Sequence, residues 1–145
     1  MVSIQEFKSM SVNGEAGVVA LVDDDRQITQ VLQNWLDMLE MAAEVHDSAE
    51  KLLACLEPAE GRWLVRRGPY SGQPLVGAVL DLNLPGLHGF GLAQELRKVS
   101  SQLPIVVITA ARNEVRASLG NGVDDVVCIS KPFKLDVLEK VLMGE

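Results

Sequence analysis

Residues 75–90 read LVGAVLDLNLPGLHGF: an apolar run, the carboxylate of Asp81, then a loop carrying Pro85, Gly86 and Gly89. A short unbroken apolar segment bounded by turn residues is the pattern of a strand covered on both faces. Such a strand has no solvated side on which to place an acid, so Asp81 marks its end. The same design recurs three times. GVVALVDDD (17–25) stops on Asp23, Asp24 and Asp25, LPIVVITA (103–110) reaches the hydroxyl of Thr109, and VVCIS (126–130) stops before Lys131 and Pro132.

The segments between these strands carry helical spacing. After the first acids, Ile28, Val31, Leu32, Trp35, Leu36 and Leu39 form one apolar stripe. AAEVH (42–46) reads as a second strand, followed by a helix capped at Asp47 or Ser48 with Leu52, Leu53 and Leu56 on its face. GFGLAQELRKVS (89–100) is a third helix, residues 111–122 a short fourth closed by Gly120 or Gly122, and Leu135, Leu138 and Leu142 mark a fifth. Only residues 57–74 break the alternation. Their glycines, prolines, Arg62, Arg66, Arg67, Trp63 and Tyr70 read as an extended connection.

Five strands alternating with amphipathic helices predict an α/β doubly wound fold, a (βα)5 parallel five-stranded sheet with helices on both faces. In such folds the site lies outside the carboxyl ends of the strands. Asp23, Asp24, Asp81, Thr109 and Lys131 would therefore converge there. Two like charges about 4 Å apart repel by roughly 4 kcal/mol at an effective dielectric near 20. A cation is expected among the acids, and all-oxygen ligation favours Mg²⁺, with Mn²⁺ as the alternative. A carboxylate beside such an ion can act as a nucleophile toward phosphorus. Thr109 and Lys131 would then neutralise phosphoryl oxygens, and Pro132, a candidate cis peptide, would aim the lysine.

The four segments LVDDD, LDLNLPGLHG, VVITA and ISKPF, in this order and each at a predicted strand end, resemble the receiver domain of two-component response regulators over residues 18–143. The resemblance implies a flavodoxin-like fold of the chemotaxis-receiver kind with strand order 2-1-3-4-5. It implies Asp81 as phospho-acceptor, with Asp23, Asp24, Asp81 and the backbone carbonyl of Asn83 as metal ligands. Thr109, Ala110 and Lys131 correspond to the switch and phosphate-binding positions. The protein would be no turnover enzyme but an acceptor that helps catalyse its own phosphorylation and dephosphorylation. A sensor histidine kinase or phosphotransfer protein would supply the phosphoryl group. The downstream protein or output domain is unspecified, and homodimers would form through the fourth helix, fifth strand and fifth helix.

One position departs from the family pattern: Cys128 stands where an aromatic switch residue is usual, three residues before Lys131. That substitution and the 57–74 connection favour an alternative, a phosphorylation-independent docking scaffold. A phosphohydrolase with an aspartyl nucleophile is disfavoured, because Asn83 stands where the haloacid dehalogenase type has a second Asp. For other groups the structural reading is the plainer one: Asp25 as a helix cap, His46 as a structural residue, His88 as a solvated loop group, Trp63 as a tucked indole among solvated arginines.

Composition bounds the rest. A chain of 145 residues with 48% hydrophobic content is the size of one domain. Residues 1–16 read as a flexible extension and 17–145 as the receiver. A net charge of −7 argues against direct nucleic-acid binding. Two well-separated cysteines, no secretory h-region and no long apolar span point to a cytoplasmic protein without membrane association. No output-domain pattern follows the last helix, which leaves a single-domain regulator and the receiver portion of a longer protein as the two arrangements.

Overall fold

The computed structural model describes residues 17–84, 86–109 and, as backbone, the strand 126–130. Its elements run β1 (Val18–Val22), α1 (Arg26–Met38), β2 (Ala42–His46), α2 (Ala49–Ala54), β3 (Leu56–Ala59), β4 (Arg62–Val65), β5 (Leu75–Asp81), α3 (Gly89–Val99), β6 (Ile105–Thr109) and β7 (Val126–Ser130). The extension 1–16, the fourth and fifth predicted helices, Ala110, Lys131 and Pro132 lie outside the described residues.

Five strands form one sheet in the order β2-β1-β5-β6-β7, every neighbouring pair parallel. Counting only these strands, the order is the expected 2-1-3-4-5. β1, β5 and β6 are buried along their whole length, whereas β2 is half-buried throughout because it forms an outer edge. The sheet separates two apolar layers. Val19, Leu21, Val106 and Ile108 meet Leu32, Trp35 and Leu36 of α1 on one face. Val18, Ala20, Val22, Leu80 and Val107 meet Ala49 and Leu52 of α2 and Phe90, Leu92, Ala93 and Leu96 of α3 on the other. Alternation along each strand feeds both layers at once, which is why the strand sequences are apolar without a break.

Two details of the helices differ from the spacing argument. Val31 is 48% exposed, whereas Thr29, at the opposite edge of the stripe, is buried and its hydroxyl donates to the Arg26 carbonyl at 3.2 Å. A helical stripe has edges, and a 3.6-residue period puts position 31 over one of them. Leu56 likewise belongs to no helix. α2 stops at Ala54, and Leu56 is buried as the first residue of β3.

The largest departure lies in the 57–74 connection, which is structured. β3 and β4 pair antiparallel, Leu56 with Val65 through Ala59 with Arg62. Glu60 and Gly61, at φ 52° and 80°, close the hairpin in the left-handed region that matches strand twist in two-residue loops. Leu56 and Val65 enter the core on the α2/α3 face, and Trp63 packs against it while its Nε1 donates to the Leu96 carbonyl of α3 at 2.9 Å. The Arg66 and Arg67 guanidiniums donate to the Ala54 carbonyl at 3.5 and 3.1 Å, satisfying the end of α2. Among the described residues no helix is long and apolar enough to cross a membrane.

Candidate functional site

The carboxyl ends of β1 and β5 are adjacent, since Val22 pairs with Leu80. Asp23 follows the first strand and Asp81 ends the second, and both are buried, each 6% exposed. Asp24 is exposed beside them. One carboxylate oxygen from each of Asp23, Asp24 and Asp81 lies within 4.8 Å of the other two. Thr109, fully buried at the end of β6, is one strand further along the same edge, where Asp81 pairs with Ile108 and the Leu82 amide donates to the Ile108 carbonyl at 2.7 Å.

Local bonds set the acids in place. The Asp25 amide donates to Asp23 Oδ1 at 2.9 Å, while Asp25 itself caps α1 by accepting from the Gln27 amide at 2.9 Å. The capping duty falls to Asp25, as its reading from the sequence expects, and Asp23 and Asp24 are left at the sheet edge. The Asn83 amide donates to Asp81 Oδ1 at 3.2 Å, and the Asn83 side chain is exposed.

The glycines behind Asp81 serve the backbone. A Cβ on Gly89 would sit 2.5 Å from the Asp81 carbonyl oxygen and 2.9 Å from Leu82 Cα, so α3 can start against the end of β5 only without a side chain there. Gly86 adopts φ 74°, and a Cβ there would meet the Glu50 carboxylate at 2.6 Å. Glu50 Oε2 also accepts from the Leu87 amide at 3.2 Å, tying α2 to the loop after Asp81. Nothing in the sequence marks this tie, because Glu50 stands in the first turn of α2, an ordinary place for an acid.

A cleft of about 710 Å³ opens beside the acids, bounded by Asp23, Asp24, Arg26, Thr29, His46, Ser48 and Lys51. On its rim Lys51 Nζ donates to Asp47 Oδ2 at 3.2 Å, and this bond holds the exposed Asp47 carboxyl below the usual carboxylate range. Ser48, one of the two expected caps, is the one that accepts from the Lys51 amide, at 3.2 Å.

Three buried or clustered carboxylates with only oxygen donors suit a hard divalent cation such as Mg²⁺, which takes one or two carboxylates and retains waters. Cys128 lies in β7, its backbone paired with Val107.

Comparison with known proteins agrees with this architecture. The family model of the response regulator receiver domain matches residues 70–143. The uncharacterized transcriptional regulatory protein YkoG of Bacillus subtilis is 33% identical over 127 residues, covering 86% of this chain and 48% of that protein. The transcriptional regulatory protein AruR of Pseudomonas aeruginosa is 34% identical over 111 residues, covering 75% of this chain and 41% of that protein. The chain thus spans less than half the length of these relatives. In structure it resembles chemotaxis protein CheY4 of Vibrio cholerae, with a TM-score of 0.68 at 20% identity over 90% of this chain and 98% of that one, a likeness of fold. The parallel 2-1-3-4-5 sheet and the match over half of the sequence make this chain a member of the response regulator receiver domain family.

Proposed function

We propose that this receiver is a phosphorylation-controlled signalling switch whose acceptor is Asp81. The observation that carries the reading is the convergence of the Asp23, Asp24 and Asp81 carboxylates at the edge where Thr109 ends the neighbouring strand. An oxygen of Asp81 attacks the phosphorus of a phosphohistidine on a sensor histidine kinase or phosphotransfer protein. A P–O bond forms, the P–N bond breaks, and the imidazole leaves with the electron pair. Asp23, Asp24, Asp81 and the Asn83 carbonyl would hold Mg²⁺, which when bound offsets the negative charge that phosphate and acids share.

The chain's own groups supply positioning. The Asn83 amide bond to Asp81 Oδ1 restrains the carboxylate. Thr109 donates its hydroxyl to a phosphoryl oxygen, and Lys131 neutralises another, with Ala110 leaving room and Pro132 aiming the lysine. The added phosphate brings close to two negative charges and three acceptor oxygens, and the response of Thr109 passes to the surface that engages the downstream partner. With Cys128 in β7, that response proceeds without an inward-turning aromatic ring at this position.

Intact mass after incubation with Mg²⁺ and acetyl phosphate or phosphoramidate tests the reading. One phosphoryl adduct per chain is expected, lost on omitting Mg²⁺ and absent in Asp81→Asn. A folded, Mg²⁺-binding protein that takes no adduct would overturn it in favour of a docking scaffold that works without phosphorylation.

A further inference from the structure

A second cluster of ligand-bearing side chains lies on β2, reaching the cleft beside the acids at His46. Glu44 and His46 are two residues apart on β2 and so project from the same face of that edge strand, the face on which α2 packs. Cys55, the C-cap residue of α2, returns to them with a free thiol. Glu44 Oε1 lies 3.1 Å from His46 Nε2 and 3.6 Å from Cys55 Sγ, and all three ligand atoms lie within 4.8 Å of one another.

We infer that Glu44, His46 and Cys55 form a binding site for a borderline-soft divalent transition metal, with Zn²⁺ the best match. The donor set is one imidazole nitrogen, one thiolate and one carboxylate, the mixture zinc prefers and magnesium does not. Spacing supports it independently. A tetrahedral zinc with ordinary bond lengths places nitrogen and oxygen ligands about 3.4 Å apart and sulfur and oxygen ligands about 3.6 Å apart. The distances in the protein, 3.1 and 3.6 Å, need a shift of only a few tenths of an ångström.

The backbone holds the ligands in place before any ion arrives. Glu44 and His46 are paired with Ala20 and Val22 of β1, and the His46 carbonyl accepts from the Asp23 amide at 3.2 Å. The Cys55 amide donates to the Leu52 carbonyl at 2.9 Å, and its own carbonyl accepts from the Arg66 amide at 2.7 Å. Side-chain exposures of 13% for Glu44 and 15% for His46 leave an approach for the ion and a fourth position for water. On binding, the Cys55 thiol releases its proton to solvent and an S–metal bond replaces the S–H bond. His46 coordinates through neutral Nε2 with its ring proton on Nδ1, and the bond it made to Glu44 is given up. Bridging β2 to the end of α2 and the start of β3, the ion would clamp the hairpin to the sheet edge.

Cobalt titration of the whole chain in excess Mg²⁺ provides the test, read by thiolate-to-cobalt charge-transfer absorption and by displacement with Zn²⁺. The wild type and Cys128→Ser should both take one Co²⁺ with a tetrahedral ligand-field spectrum, and Zn²⁺ should abolish the signal. Cys55→Ser should lose the charge-transfer band while keeping its far-ultraviolet circular dichroism. Glu44→Gln and His46→Gln should weaken binding by on the order of tenfold or more. No band in a folded wild type, or a band that survives Cys55→Ser and vanishes in Cys128→Ser, would overturn the site and leave the triad as a hydrogen-bonded structural cluster. Asp81→Asn should leave the cobalt spectrum unchanged although it abolishes the phosphoryl adduct, so the two proposals fail separately.

Discussion

The carboxyl edge of β1 and β5 and the outer edge at β2 gather ligand atoms in different ways. At the first, each acid ends or follows an apolar strand, and parallel pairing of β1 with β5 brings the two ends together. At the second, Glu44 and His46 alternate with Ala43 and Val45 along a half-buried strand, and Cys55 arrives from the end of a helix nine residues later. A strand buried on both faces can carry polar groups only at its ends, so its chemistry is concentrated where the chain leaves the sheet. An edge strand has room for polar side chains along its length, and what meets them is decided by the next element to pack there.

The same contrast predicts how the two regions respond to damage. Leu21, fully buried in β1, should lose about 3–5 kcal/mol of stability on substitution by alanine, and Leu56 at the hairpin base about 2–3 kcal/mol, as core truncations do. Urea unfolding monitored by tryptophan fluorescence would check both. Equal losses would break the comparison by making the hairpin as integral to the core as the central strands.

Two glycines sharpen it at smaller amplitude. Gly89→Ala places a methyl against the Asp81 carbonyl, and the forced shift of α3 should cost about 1–3 kcal/mol. Because that shift moves the backbone of Asp81, phosphorylation by acetyl phosphate should slow as well. Gly61→Ala at the hairpin tip meets open space and only the left-handed φ of 80°, so about 1 kcal/mol is expected with no change in phosphorylation rate. Thermal unfolding together with the rate of adduct formation separates the two.

The smallest effect is electrostatic. Lys51 holds the exposed Asp47 carboxyl below its ordinary value through a hydrogen bond. A carboxylate with a depressed folded pKa stabilises the fold above its unfolded pKa, and that contribution disappears as pH falls through the folded value. Both side chains are well exposed, so solvent screens the pair and global stability should barely change. A carboxyl carbon titration by NMR should show Asp47 moving up toward the ordinary range in Lys51→Met.

Much of the fold was legible because burial on both faces leaves a plain sequence mark. The runs ending at Asp23, Asp81 and Thr109 each became a central strand, and Asp25 took the helix cap read for it. The hairpin was not legible. Its strands are four residues each, LEPA and RWLV, with a proline in one and two charges between them, so neither periodicity nor composition marks a strand. Its stability comes instead from Leu56 and Val65 reaching the core and from Trp63 bonding to Leu96, contacts 33 residues apart in the chain in the last case. Val31 and Leu56 were misplaced because a helical period continues on paper beyond its physical bounds: Val31 lies past the edge of the covered stripe, and Leu56 lies past the last residue of α2, buried as part of the hairpin.

By itself the sequence determined which segments are the buried sheet strands and which acids end them, because apolar runs of strand length must be covered on both faces and must shed their polar groups at the ends. Only the tertiary structure decided what covers β2. The packing of α2 against that edge brought Cys55 to Glu44 and His46, and it set Glu50 against the loop after Asp81. No local propensity encodes such meetings, since they depend on where one helix ends and which face of the sheet it lands on.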